Sequence, residues 1–597
     1  MMEMKRKVKL PIIVALMSLF LMSCGVNEEK YVTSTQGEFS YDNATVYFAI
    51  TDRFKDGNEK NNQSYDRVNV DSLGKDIGTF HGGDIKGLTD KLEEGYFTDL
   101  GINAIWITAP YEQIHGYIGG GREGDFAHYG YHGYYALDWT MMDQNMGTVD
   151  EFRTFVDKAH EKGIRIIMDV VMNHTGYPNL QDMQTYDYGG VENLPKDFTV
   201  SEGENFFSYQ EYVNYESPSA WQGFYGDWVR ADLPGYHKPG EGEVDFSLSG
   251  LPDIRTEVDE DLGLAPILST KWAMEESDEA SHAYLPPIMK DLRKDLKLSP
   301  AGYITTWLAA WVEEFGIDGF RIDTAKHVEI ERWQALKEEA NEALARFREN
   351  NPDNAAAKFT DDFFMVGEVW GHGVQKDFYF DYGFDALINF TFQGLKKDGP
   401  AFSPKNKGKI FENYANALNE DDEFNVLSYI SQHDTTLYPR EKLEAGGSYL
   451  LMLPGAVKIF YGDEVAREMG EGGTDGTQGT RSSMDWENID EELLEHFQKM
   501  GSFRNRNLAV GAGQHKTQSE KPLIFMRSYT DDDLENTVMV YEGEPGEQVI
   551  EVKEAFKDGS TIRDGYTNKI YTVKKDEIKV DVHEKGYALL EEVFKVD

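Results

Sequence analysis

The sequence predicts an α/β protein: a (β/α)8 TIM barrel with a long inserted subdomain after the third strand and a C-terminal antiparallel β-sandwich. Three observations carry that expectation. Eight short apolar runs recur between residues 44 and 462, separated by helix-like sequence. From His174 to about Pro300 the alternation stops. After about residue 510 it gives way to short alternating strands joined by turns.

The eight runs are "ATVYFAIT" (44–51), "INAIWIT" (102–108), "IRIIMDVV" (164–171), "IDGFRID" (317–323), "FFMVGE" (363–368), "DALINF" (385–390), "NVLSYIS" (425–431) and "VKIFYG" (457–462). Several are continuously apolar, as strands of a parallel sheet covered on both faces are. Between them, segments such as "VDEFRTFVDKAHEKG" and "ITTWLAAWVEEFG" have helical periodicity and end at a glycine before the next strand. Eight alternations close a barrel over residues 41–174 and 300–510. The aromatic, Gly-rich stretch 175–299 is too long for a simple loop and reads as a subdomain. Residues 511–597, with "PLIFMRSY", "TVMVYEG", "EQVIEVK", "KIYTVK" and "GYALLE", read as the sandwich.

The chain has 59 basic and 106 acidic residues, a formal charge of -47. Such a surface repels phosphate backbones and anionic lipid, so nucleic acid is excluded as a partner class. At the N-terminus Lys5, Arg6, Lys7 and Lys9 precede "LPIIVALMSLFLM", a run too short to span a bilayer, so residues 1–23 read as a signal peptide. Its end, "LMSCG", resembles the lipobox of bacterial lipoproteins, which implies lipidation of Cys24, the one cysteine of the chain. A plain signal peptide is the alternative. Residues 24–40 read as a polar tether. The resemblance implies a bacterial cell-envelope location, periplasmic or on the outer membrane, with the membrane touched only through the lipid anchor.

In such a barrel the chemistry sits at the C-terminal strand ends. The third run ends in Asp169, followed by Asn173 and His174; the fourth in Arg321 and Asp323; the fifth in Glu368; the seventh in His433 and Asp434. Arg321 and Asp323 are two apart, so both side chains face one side of their strand. Asp323, Glu368 and Asp434, three of these carboxylates on one rim, fit glycoside cleavage, which needs one ionised and one protonated carboxyl group across the scissile bond. Arg321 favours the ionised form of Asp323, while Glu368 needs a drier, more anionic spot to hold its proton. Asp434 can bond sugar hydroxyls and raise Glu368 by like-charge coupling.

"DVVMNH", "GFRIDTAKH", "GEVW" and "SQHD" are similar, in order and spacing, to the four short motifs of the α-amylase family of glycoside hydrolases. "GINAIWITAP", "LPDI" and "GAVKIFYGDE" match its additional ones, and "GEVWGHGV", "YGFDALINF" and "GTQGTRSSMDW" resemble the periplasmic α-amylases of bacterial maltodextrin systems. The resemblance implies retaining endo-hydrolysis of α-1,4 bonds in starch, glycogen or maltodextrin. It implies Asp323 as nucleophile, Glu368 as acid/base and Asp434 as transition-state stabiliser. Arg321, His174 and His433 would line the subsite of the reacting glucose. "YHGYYALDW" implies Tyr134 stacking under that sugar, with His132 hydrogen-bonded to it, and Lys326 facing the departing glucan. The last motif departs from the family, having Gln432 where relatives often have asparagine. A transglycosylase of the same family is one alternative. A non-catalytic glycan-binding surface lipoprotein is the other, and it predicts a broken triad, whereas all three carboxylates are present.

Asp56, Asn58, Asn61 and Asn62 in "DGNEKNN", with Asp84 in a Gly-rich turn, offer the hard oxygen ligands that Ca²⁺ prefers. An Asx-rich turn without metal is the alternative. The segment resembles a calcium loop of the amylase and cyclodextrin-glucanotransferase branch, which implies a Gly82 carbonyl ligand. The family also implies a second calcium at Asn173, Asp253 and the His327 carbonyl. Without a Cys cluster or paired histidines, nothing supports zinc.

Overall fold

The computed structural model describes residues 30–403, 405–420, 423–531 and 534–596. The signal segment, Cys24 and the start of the expected tether lie outside the described residues.

Every predicted barrel run forms a strand: β1 (Thr45–Ala49), β2 (Ala104–Ile107), β3 (Arg165–Val170), β4 (Gly319–Ile322), β5 (Phe364–Gly367), β6 (Ala386–Asn389), β7 (Asn425–Tyr429) and β8 (Ala456–Phe460). They pair in parallel and in sequence order, and β8 closes onto β1. All their residues are buried, as the continuous apolar runs require. Register places Arg321 of β4 opposite Asp169 of β3, which brings two charged strand ends side by side.

Seven helices follow the strands: α1 (Ile85–Glu94), α2 (Val149–Glu161), α3 (Pro300–Phe315), α4 (Ile330–Asn350), α5 (Lys407–Glu420), α6 (Leu443–Leu451) and α7 (Glu491–Asn505). Between β5 and β6 the described residues form only a 3-10 turn, Phe378–Tyr382. Local sequence explains the helix ends. Thr148 and Glu151 make a reciprocal capping box at α2, satisfying backbone N–H groups that have no helical partner. At α3, Ser299 caps and Pro300 opens the helix, and Gly316 closes it at φ 74°. A Cβ at Gly316 would meet the Phe347 ring at 2.3 Å, so the turn needs glycine for space as well as for backbone freedom.

The inserted segment 175–299 has little regular structure beyond helix Pro266–Glu275 and the short pairing of Val229–Arg230 with Asp253–Ile254. Its order comes from buried aromatics, among them Trp221, Phe224 and Trp228, the last stacked 6.1 Å from Trp307 of α3. Buried charges pin it to the loop after β2: Lys271 Nζ lies 2.5 Å from Glu112 and 3.0 Å from Asp138, which also accepts from Arg293.

The C-terminal unit is the expected sandwich. Strands β9 (Gln514–Glu520), β10 (Leu523–Asp531), β11 (Leu534–Glu542), β13 (Thr561–Asp564), β14 (Ile570–Thr572) and β16 (Tyr587–Glu592) form one antiparallel sheet, covered by the pair β12 (Gly546–Glu551) and β15 (Glu577–Val582). Alternation along β11 serves two cores: Val538 and Val540 join the barrel cluster, while Met539 and Tyr541 join the sandwich interior.

One expectation is corrected. From residue 30 onward the segment read as a tether is docked: Lys30–Val32 pairs with Phe594–Val596, and the Thr33 and Thr35 hydroxyls donate to the Arg506 carbonyl at 2.7 and 3.0 Å. Polar composition suggested a free chain, but "YVTST" is β-prone and forms a two-stranded sheet with the last described strand.

At the barrel–sandwich boundary Arg504 and Arg527 are fully buried and face backbone carbonyls instead of carboxylates. Arg504 donates to Leu451, Leu453 and Gly455, and Arg527 to Val510 and Met452. Burial lowers Arg504 to about 9. Arg504→Met leaves three buried carbonyls unpaired and is expected to destabilise the chain by roughly 2–4 kcal/mol in urea unfolding. A change below about 0.5 kcal/mol would contradict this role.

Candidate active site

The strand ends converge on a cleft of about 1370 Å³ at the barrel mouth, and Asp323, Glu368 and Asp434 all line it. Arg321 organises its floor. One guanidinium nitrogen, Nη1, donates to Asp323 Oδ1 at 2.8 Å and to Asp169 Oδ1 at 3.0 Å. The other, Nη2, lies 3.0 Å from Glu368 Oε2 as an ion pair off the hydrogen-bond axis. Asp323 therefore receives an aligned N–H and Glu368 does not, so Glu368 is the carboxyl group more easily protonated. Glu368 is further held by the Thr324 N–H at 3.1 Å, which the left-handed backbone of Thr324 (φ 47°) points at it.

Electrostatics divide the three carboxylates. Burial pushes Asp323 up to about 6, with Arg321 opposing. Burial pushes Glu368 up to about 7 against Arg321, with Asp323 and Asp434 adding to the rise. Asp434 goes the other way: burial works against its charge, but His433, Arg481 and Arg321 hold it well below the usual carboxylate range. His433 Nε2 lies 2.7 Å from one Asp434 oxygen and Arg481 Nη2 2.7 Å from the other. Both partners of the shared cation are raised, Glu368 higher than Asp323, which leaves Glu368 the acid of the pair.

The α-amylase catalytic-domain family model matches residues 48–235 and 269–492. The chain is 43% identical over 522 residues to the periplasmic α-amylase of Escherichia coli strain K12, covering 84% of this chain and 73% of that one. The chain belongs to the α-amylase family. It is an α-amylase-type glycoside hydrolase. An α-amylase of Streptomyces lividans is 28% identical over 70% of this chain and 44% of its own. Among solved structures, an Anoxybacillus α-amylase superposes with TM-score 0.57 at 21% identity, over 94% of this chain and 100% of that one, a likeness of fold.

The remaining predicted residues of this α-amylase-family enzyme fall as follows. Tyr134 lines the cleft and stacks on His433 with ring centroids 5.6 Å apart, and its hydroxyl donates to Asp169 at 2.9 Å. His132 also lines the cleft; its Nδ1 accepts from the Tyr134 N–H, and its Nε2 is buried with no partner among the described residues. His174 lines it too, but its ring is engaged by the Tyr134 carbonyl at 3.1 Å and by Asn173 at 3.2 Å. Lys326 reaches Glu243 of the inserted segment at 3.3 Å on the cleft wall.

The two expected metal sites differ. In the first, Asn61 Oδ1 and Asn62 Oδ1 are buried without a partner beside the Asp56 and Asp84 carboxylates, and Gly82 packs directly on the Asn62 amide. Asn58 belongs to the same turn through its N–H to Asp56. Burial raises Asp84 to about 6, with Asp56 adding to the rise. This donor set fits a hard cation. At the second, Asp253 bridges beside His174 but accepts from Arg230 at 2.9 Å, and the His327 ring is turned to the Glu243 carbonyl. Arg230 pairs with one Asp253 oxygen only; the other is buried without a partner among the described residues, and burial raises Asp253 to about 7, so Asp253 keeps an oxygen for the cation that the resemblance implies at Asn173, Asp253 and the His327 carbonyl.

Sequence reasoning missed Arg481 and Trp106 and left Asp169 without a role. Asp169 stood out only as a strand-end carboxylate; its partners Arg321, Tyr134 and Trp106 come from three other segments. Arg481 lies in "GTQGTRSSMDW", which carried the family resemblance but no role.

These shifts predict a pH profile. Activity needs Asp323 ionised and Glu368 protonated, so kcat/KM should rise through about 6 and fall through about 7 as the coupled pair titrates. A profile flat from about pH 5 to 9 would remove the pair from the mechanism.

Proposed function

We propose that this enzyme cleaves internal α-1,4 bonds of soluble α-glucans, maltodextrins among them, with retention at the anomeric carbon. The observation supporting this is the single guanidinium between Asp323 and Glu368. One guanidinium in contact with both carboxyl groups holds them close together, as the roughly 5–5.5 Å separation of a retaining pair requires. Asp323, the better ion-paired, attacks the anomeric carbon and expels the glucan whose oxygen Glu368 protonates. Glu368, now ionised, takes a proton from the water that hydrolyses the glycosyl ester. Asp434 stays charged throughout and bonds hydroxyls of the reacting sugar, whose oxocarbenium character it favours. The relative in E. coli is named periplasmic, which supports a cell-envelope location; anchoring through lipidated Cys24 is part of the proposal.

The test is product analysis on soluble starch. Early release of mixed maltodextrins and a fall in iodine staining ahead of reducing ends supports internal cleavage. Maltose or glucose alone from the first minute contradicts it.

A calcium ion held by Asp56, Asn61, Asn62, Asp84 and the Gly82 carbonyl belongs to the same proposal, with Asn58 completing the turn. When bound it neutralises carboxylates and cross-links the loop to the start of α1; it takes no part in bond cleavage. Chelation is expected to lower the thermal midpoint, and Ca²⁺ at about 100 times its dissociation constant to restore about 2.7 kcal/mol of stability. An unchanged midpoint after exhaustive chelation counts against it.

A further inference from the structure

Lys458 projects from β8 into the barrel interior and is 1% exposed. Its Nζ sits among the rings of Tyr429, Trp106 and Phe48, at 4.5, 5.3 and 5.4 Å. None of the described carboxylates forms an ion pair with it. Arg321 on β4 opposes its charge, while Asp434, Asp463 and Glu368 favour it at longer range. An apolar side chain would fill this space without the cost of burying an ammonium.

Its one hydrogen bond is informative: Nζ donates to Gln432 Oε1 at 2.6 Å. Gln432 is the departure from the usual asparagine. The same oxygen accepts from the His433 N–H at 3.3 Å and lies 3.0 Å from His433 Nδ1, and the amide nitrogen has no partner among the described residues. A carboxamide can normally flip, but here a flip would set its NH₂ against an ammonium. The oxygen is therefore fixed toward His433, and Nδ1 must carry a hydrogen. On the far side of the ring, Nε2 lies 2.7 Å from Asp434 Oδ2 and 3.1 Å from the Tyr134 hydroxyl. The Tyr134 hydroxyl gives its hydrogen to Asp169, so Nε2 donates to that hydroxyl and carries a hydrogen as well, facing the ionised Asp434.

We infer that Lys458 is a positioning residue for glucan cleavage: through Gln432 it holds His433 protonated on both ring nitrogens, and the resulting imidazolium fixes Asp434. Burial, with Arg481 and Arg321, lowers His433 to about 4 against Asp434, so the imidazolium rests on the acceptors held against its two ring nitrogens. The acceptor on Nδ1, held by Lys458, adds to the favourable side. Burial and Arg321 lower Lys458 to about 7, so the lock loosens as pH rises above neutral.

The test uses the full chain with ¹⁵N-labelled histidine, the His433 signals being assigned by their loss in His433→Gln. Wild type at pH 6 should give two protonated ring nitrogens at His433. Lys458→Met should give one, with kcat lowered about tenfold or more and KM changed less than about threefold, because substrate still meets the same cleft walls. The double variant Lys458→Met/Gln432→Glu supplies an acceptor that cannot flip, so it should regain both protons and at least about tenfold in kcat over the single variant. A structural role alone predicts a lower thermal midpoint with the His433 signals unmoved; that result overturns the inference, as does a double variant no better than the single one. If Lys458→Met does not fold, Gln432→Leu reads the same link: a His433 still doubly protonated there also overturns it.

Discussion

Glu368→Gln is expected to lower kcat on natural α-glucans by about 10²–10⁴-fold, the usual contribution of a positioned general acid. The loss should depend on the leaving group. With α-maltosyl fluoride, whose fluoride departs without protonation, the first step should be nearly intact and the glycosyl-enzyme should accumulate. Azide, a nucleophile that needs no general base, should then restore turnover and give an α-azide. An equal loss on both substrates, with no rescue, would show that Glu368 acts in some other way. The environment supports the assignment: Glu368 has an ion-pair contact off the hydrogen-bond axis, and burial, with Asp323 and Asp434 adding, raises it to about 7.

The second large effect concerns Arg321. Its guanidinium is fully buried and touches Asp169, Asp323 and Glu368. Arg321→Leu keeps the volume close but leaves these carboxyl groups without their shared cation. Removing one partner of a buried charge cluster costs about 3–5 kcal/mol, so unfolding should become easier by that order. The pH dependence has a definite sign. Asp323 and Glu368 already have folded-state values raised to about 6 and about 7, so the folded chain binds more protons than the unfolded one, and stability falls as pH rises through that window. Without Arg321 both rise further and the window extends upward. The deficit against wild type should be small near pH 5 and largest near pH 8, read as urea midpoints at the two values. A deficit equal at both would refute the electrostatic account.

Much of this was legible in the sequence, for identifiable physical reasons. Barrel strands buried on both faces read as unbroken apolar runs, and all eight runs formed strands in the expected order. A charged residue at the end of such a run is conspicuous, which is why Asp323, Glu368 and Asp434 could be placed at one rim. Features set by contacts between distant segments were not legible. Arg481 lies 47 positions from Asp434 and meets it only because the loop after β8 returns over the mouth. Nothing local to Arg321 reveals that it also reaches Glu368. Arg230 reaches Asp253 through a pairing across the inserted segment, whose order comes from scattered aromatics. The docking of residues 30–35 depends on a strand at the opposite end of the chain. Gln432 was visible as a departure, but its meaning needed Lys458, which in sequence reads as an ordinary interruption of "GAVKIFYGDE".

The central claim is that Asp323 and Glu368 form a retaining pair. The most direct test is to react the Glu368→Gln chain with a 5-fluoro-α-glucosyl fluoride, digest it and locate the adduct by mass spectrometry. The account predicts one glycosyl group esterified to Asp323. No adduct, or an adduct on another carboxylate such as Asp434 or Asp169, would contradict it.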